Sequence, residues 1–221
     1  MLILNLKTYK ETTGTNLPAV LASINDVIRD NPKLREILYI APQQLDLALA
    51  KANYPHLSFI AQHVDALESG KTNGWVTVDN LVNLGLGMSM FNHSEHKISP
   101  ENILSGIEFI QAKNLKLIVC CENIAEAEII LSARPHALAF EPPELIASGK
   151  SVSTQKPELV QEFIAMTKGK TIPIIGAGIT NGKDIEVGLD LGAEGFLVSS
   201  AFVKAEDHYA KLLELIKPFN Y

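Results

Sequence analysis

The sequence predicts an α/β fold, specifically a compact (β/α)8 barrel with shortened helices that forms a single domain over residues 1–221. Three observations predict it. Short runs rich in Ile, Leu, Val and Phe recur along the chain. Segments with helical spacing lie between them. No linker, composition shift or low-complexity stretch divides the 221 residues, and α/β barrels often occupy such a length as one domain. An open doubly wound sheet is the alternative arrangement of the same alternation.

Strands are expected near Leu2–Leu6, Ile37–Ala41, Leu57–Ala61, Gly87–Phe91, Leu115–Cys120, Ala137–Phe140, Ile172–Ile175 and Gly195–Val198. Helical stripes follow from residue spacing. Ile103, Ile107 and Ile110 fall on one face, as do Leu159, Phe163 and Met166. Tyr209, Leu212, Leu213 and Ile216 form a third stripe. Ser99 before Pro100 reads as a helix start, and Asn16-Leu17-Pro18 opens the first helix similarly. Pro135 and Pro218 stand just past helical patterns, where proline stops a helix. The stretch from Val64 to Asp79 has little helical pattern, so a helix there is brief or missing.

Composition narrows the class. Hydrophobic residues make up 47% and charged residues 20%, which suits an ordered globular chain. A net charge of −6 argues against a nucleic-acid or anionic-membrane partner, since either needs a basic face. No apolar run approaches the roughly 20 residues that span a bilayer. The two cysteines, Cys120 and Cys121, are neighbours and form no disulfide framework. With no leader-like N-terminus, a reducing cytoplasm is expected.

In a barrel of this kind, chemistry gathers where strands run into the following helices. The first strand ends N-L-K. Alternation puts Leu4 and Leu6 toward the helices, and Asn5 and Lys7 toward the barrel mouth. The fourth ends F-N-H-S-E-H. His93 follows the apolar run, and Ser94 and Glu95 can cap the turn after it. A helix start beside an imidazole favours its neutral form. His96 is expected at the surface, while His63 and Asp65 lie near another strand end. The sixth strand ends in Glu141, followed by the stiff pair Pro142-Pro143 and the small residues Ala147, Ser148 and Gly149. That pattern fits a hinged lid beside a reactive carboxylate. G-A-G-I (Gly176–Ile179) and V-S-S-A (Val198–Ala201) end the last two strands, where small residues let backbone N–H groups approach an anion. The histidines and carboxylates show no ligand spacing such as H-x-x-x-H, so no metal is expected.

Together N-L-K-T-Y, F-N-H-S-E, F-E-P-P-E-L-I-A-S-G, G-A-G-I and G-F-L-V-S-S-A, in this order, resemble the triosephosphate isomerase family, in particular its short archaeal-type branch. The resemblance covers nearly the whole chain. It implies that Glu141 is the base that moves a proton between C1 and C2 of a small phosphorylated triose. His93 would polarise the carbonyl as neutral imidazole, and Lys7 would stabilise the enediolate. Asn5 would position Lys7, and Glu95 would support it. Gly149, Ser199 and Ser200 would offer backbone N–H groups to the phosphate, with Gly178 assisting. Pro142 and Pro143 would form the stiff first hinge of the lid, and Ala147, Ser148 and Gly149 the second. The family needs no cofactor and acts as a homo-oligomer, dimer or tetramer.

Some positions depart from the family pattern. The second hinge reads I-A-S-G in place of I-G-T-G. In the third loop, G-K-T-N-G puts Asn73 where a threonine is usual, and Trp75 beside it suits an interface or a core. The fifth strand ends C-C-E-N in place of C-x-G-E, so Cys121 departs and Cys120 does not. Both cysteines are expected to pack near Glu141. The alternatives are another phosphate-binding barrel enzyme, which need not place Lys, His and Glu after strands one, four and six, and a non-catalytic barrel protein, which need not retain them.

Overall fold

A computed structural model describes residues 1–145 and 151–219. In chain order its elements are β1 (Leu2–Asn5), α1 (Leu17–Asp30), β2 (Leu38–Ala41), α2 (Gln44–Asn53), α3 (Val78–Asn83), β3 (Met88–Phe91), α4 (Pro100–Ala112), β4 (Lys116–Cys121) and α5 (Ile124–Leu131). There follow β5 (Ala137–Phe140), α6 (Val152–Gln155), α7 (Pro157–Thr167), β6 (Ile172–Ile175), α8 (Gly182–Asp190), β7 (Gly195–Val198), α9 (Ser200–Val203) and α10 (His208–Ile216). The three apolar stripes read from the sequence lie on α4, α7 and α10.

The strands are parallel and ordered β2-β1-β7-β6-β5-β4-β3. Segment 57–61 joins the two ends of that order. The Ile40 N–H donates to the Ser58 carbonyl and the Ile60 N–H to the Ile40 carbonyl. On its other side the Ala61 N–H donates to the Met88 carbonyl, and the Met90 N–H to that of Ala61. The expected third strand is therefore present as isolated bridges, Ile40 to Phe59 and Ala61 to Ser89. It closes the barrel without becoming a full ladder.

Strand alternation builds two apolar layers. Leu2, Leu4 and Leu6 point outward and pack with the helices, among them Val20, Leu21 and Ile24 of α1. Ile3, Ile60, Met90, Ile118, Ile174 and Leu197 point inward and fill the barrel. Fully burying such a side chain is worth about 1.5–3 kcal/mol. The interior also takes Ala137, Ala139 and Cys120, small residues that suit its narrow cross-section. Between residues 64 and 79 no helix forms before α3 begins at Val78, as the weak pattern there predicts.

Candidate active site

At the end of β1 the chain turns sharply. Asn5 is buried, and its Oδ1 accepts the Lys7 N–H at 3.1 Å. Lys7 has φ of +48°, a left-handed conformation that a side-chain-bearing residue rarely adopts. Two neighbours hold it there. Gln62 Nε2 donates to the Lys7 carbonyl at 3.1 Å and to the Ala41 carbonyl at 2.9 Å. Thr12 Oγ1 donates to the Leu6 carbonyl at 3.1 Å. Lys7 Nζ then reaches a Glu95 carboxylate oxygen at 2.7 Å. Glu95 is largely in water, so this pair contributes little stability. It fixes where the ammonium points.

His93 follows β3 and is buried. The expected helix start beside it is absent: α4 begins at Pro100. In its place is a tight turn, closed by the His96 N–H on the His93 carbonyl at 2.8 Å. The Glu95 N–H donates to His93 Nδ1 at 3.1 Å. An imidazole nitrogen that accepts a hydrogen bond carries no proton, so this contact assigns the neutral ring with its proton on Nε2. What faces the ring is a local backbone amide, not the helix terminus expected from the sequence.

Asn92, just before His93, also adopts a left-handed backbone, with φ of +60°. Its Nδ2 donates to the Cys120 carbonyl at 2.9 Å and to Glu126 Oε1 at 3.0 Å. Its Oδ1 accepts the Ile98 N–H at 3.0 Å. The same side chain therefore pins both ends of the turn that carries His93. Glu126 also accepts Lys97 Nζ at 2.6 Å and the Glu122 N–H at 2.7 Å. Burial alone would raise its carboxyl, but Lys97, the Glu122 amide and Asn92 together hold it below the usual value.

Glu141 stands after β5, only 3% exposed. Its backbone N–H is tied to the Cys121 carbonyl at 2.8 Å. Its Oε2 is buried with no hydrogen-bond partner and lies 3.7 Å from His93 Nε2, too far for a hydrogen bond. The carboxylate lies against Gly176 so closely that a Cβ there would come within 2.5 Å of Glu141 Cγ. The first glycine of G-A-G-I thus makes room for the glutamate. Cys120 packs beside it, as expected. Burial pushes the Cys120 thiol well up, and the Glu141 charge and a hydrogen bond to Glu141 add to that. Cys121 is likewise buried and raised, so neither is a thiolate nucleophile.

Asn5, Lys7, His93 and Glu141 line one cavity with Gly176, Gly178, Ser199 and Ser200. Gly178 has φ of +72°, which glycine adopts without strain. Ser200 opens α9, and the Ser199 hydroxyl is buried without a partner. Pro142 is buried next to Glu141, and a short 3-10 turn runs over Pro143–Leu145. Ala147, Ser148 and Gly149, the expected second hinge and phosphate contact, lie outside the described residues.

The family profile of triosephosphate isomerase matches residues 1–218. The chain belongs to the triosephosphate isomerase family. The triosephosphate isomerase of Thermoplasma volcanium is 36% identical over 217 residues, covering 97% of this chain and 98% of that one. That of Cenarchaeum symbiosum is 36% identical over 222 residues, 100% and 98% of the two chains. That of Pyrobaculum calidifontis is 34% identical over 221 residues, covering 99% and 95%. The similarity covers nearly the whole chain, as does the triosephosphate isomerase resemblance read from the motifs.

Four residues of this isomerase-family site escape a reading by motif. Asn92 and Gly176 stand inside quoted motifs, but no motif shows which side chain each of them meets. Gln62 follows segment 57–61 and Glu126 lies in the first turn of α5, and each meets its partner only in the folded chain. Asn73 and Trp75 lie along an adjoining groove that also reaches Lys7 and Glu95. Trp75 is 55% exposed, which removes the core option for it. Among the described residues no helix is long and apolar enough to cross a membrane.

Proposed function

We propose that this chain, as one barrel domain spanning residues 1–221, interconverts dihydroxyacetone phosphate and glyceraldehyde 3-phosphate through an enediolate. The observation that carries the reading is the opposition of Glu141 Oε2 and His93 Nε2 across one cavity, 3.7 Å apart and unbonded. A proton on carbon beside a carbonyl is very weakly acidic, and its removal needs an unsolvated base together with donors aimed at the forming oxyanion. A carboxylate oxygen buried without a partner is costly, and here Oε2 has kept a lone pair free for the substrate. His93, with its proton on Nε2, polarises the carbonyl and passes protons between the two oxygens. Neutral imidazole opposite a glutamate is the arrangement already established for this enzyme class.

Lys7 supplies positive charge to the enediolate, held by Glu95 and by Asn5. Gly178, Ser199 and Ser200, with Gly149, receive the phosphate through backbone N–H groups. Pro142-Pro143 and Ala147-Ser148-Gly149 act as the stiff and soft hinges of a lid, whose closure keeps water from the enediolate. The chemistry calls for no metal or cofactor. The working form is a homo-oligomer, dimer or tetramer, in the cytoplasm, and sedimentation of the purified chain distinguishes the two sizes.

A coupled isomerase assay tests the reading. Wild type should turn over both triose phosphates. Glu141→Asp, which withdraws the carboxylate by one methylene, should lower kcat by about 10²-fold with little change in KM. Absence of turnover in wild type, with Glu141→Asp changing nothing, would sink it.

A further inference from the structure

We infer that His63, Asp65 and His96 form a binding site for a divalent transition cation such as Zn2+ or Co2+, in the groove beside the cavity of Lys7 and His93. The three side chains follow two neighbouring strand positions, segment 57–61 and β3, which is why residues so far apart in the chain meet. One ligand atom from each lies within 4.8 Å of the other two. His63 Nε2 and Asp65 Oδ1 are already 3.0 Å apart. A tetrahedral ion with bonds of about 2.0–2.2 Å holds its ligand atoms about 3.4 Å apart. The remaining approach is a rotation of the exposed His96 ring out of its stack on His63, because two parallel rings cannot aim their nitrogen lone pairs at one ion.

The surroundings prepare the ligands. Asp65 Oδ2 accepts the Val76 N–H at 2.7 Å, which aims Oδ1 at His63. Such a second partner is what orients a metal-binding carboxylate. The Phe91 ring lies parallel to His63 at 6.3 Å and backs it when His96 swings to the ion. Two imidazoles and one carboxylate suit Zn2+ or Co2+ over the harder Mg2+ or Ca2+. The groove leaves the fourth position to water. Binding through Nε2 moves the ring proton, now shared with Asp65, to Nδ1, so His63 stays a neutral ligand and Asp65 exchanges that hydrogen bond for the ion.

Occupancy reaches the neighbouring cavity. The His96 N–H closes the turn on the His93 carbonyl, and Glu95 of that turn holds Lys7. Lys7 and Glu95 line the same groove as the three ligands, so a cation there sets positive charge beside Lys7 and draws the Glu95 carboxylate from it, and it acts as an inhibitor.

Titration of the full metal-free chain with Co2+, followed by visible absorption, tests the site. The expected result is saturable binding of one Co2+ per chain, with the strong bands of a four-coordinate ion, and its displacement by Zn2+. His96→Gln and Asp65→Asn should each weaken binding by at least about tenfold. Metal-free His96→Gln should turn over as wild type does, while added Zn2+ should slow wild type and not the variant. No saturable band in wild type, or equal affinity in both variants, overturns the site. Saturation without slowing overturns the inhibitory coupling. Saturable binding by a chain with no turnover supports the site and counts against the isomerase reading alone.

Discussion

The two sides of the cavity are built on opposite plans. On the side of β1 and β3, the side chains of Asn5, Lys7 and Asn92 and His93 Nδ1 are all engaged by protein partners. On the side of β5 and β7, the Glu141 Oε2 and Ser199 Oγ atoms are buried with none. Buried polar groups are normally paired, so the difference has a meaning. The satisfied side aims its groups before anything binds. The unsatisfied side is left for a ligand to complete. The two left-handed residues that carry side chains here, Lys7 and Asn92, both lie on the satisfied side. Backbone strain of this kind persists only where the surroundings over-determine it.

Substitutions can break that contrast. Lys7→Ala removes the aimed charge, and kcat should fall by about 10³-fold while thermal unfolding moves little, because Glu95, the partner left behind, is mostly in water. Near-normal turnover would show that the satisfied side aims nothing. Gly176→Ala acts on the other side. The new Cβ must displace Glu141, and kcat should fall by about 10²-fold with KM nearly unchanged. Unchanged kcat there would mean that the position of Glu141 is loose.

The next two sharpen the comparison. Asn92→Gly keeps the left-handed backbone and deletes the side-chain bonds to Cys120, Glu126 and Ile98. Urea unfolding should show a loss of about 1–3 kcal/mol, with roughly tenfold lower kcat as His93 loosens. A stability loss with full activity would make Asn92 structural only. Glu126→Gln has the smallest effect. The Glu126 carboxyl lies below its ordinary value of 4.5 in the folded chain. Its stabilisation is therefore present above about 4.5 and lost as pH falls through the folded value. The variant should show a flatter loss of stability on acidification over that window than wild type, measured by urea midpoints at each pH.

Much of this was legible in the sequence because it is local. Apolar runs marked all eight strand positions, and the end of each run marked where Lys7, His93 and Glu141 emerge. What periodicity could not show was how much of a strand each run becomes: segment 57–61 has the composition of a strand, yet it pairs only through isolated bridges. Ser94-Glu95 read as the start of a helix because these residue types cap helices, but the backbone closed on the His93 ring instead. Asn92 and Glu126 are 34 positions apart, and no spacing rule connects them. Gly176 read as room for an anion, whereas its missing side chain accommodates Glu141. Asn92 and Gly176 meet partners from other parts of the fold, while the turn at His93 is local and is decided by backbone shape that residue types do not specify.

Segment 57–61 also sets the order in which the molecule should breathe. A ring fails first at its thinnest link, and this one is held by a few backbone bonds in place of a continuous ladder. Amide protons at Ile60 and Ala61 should exchange with deuterium ahead of those in β4 and β5. Gln62 comes directly after, and it grips the Lys7 carbonyl. Transient parting of the staves would thus slacken the active lysine long before the barrel as a whole comes undone.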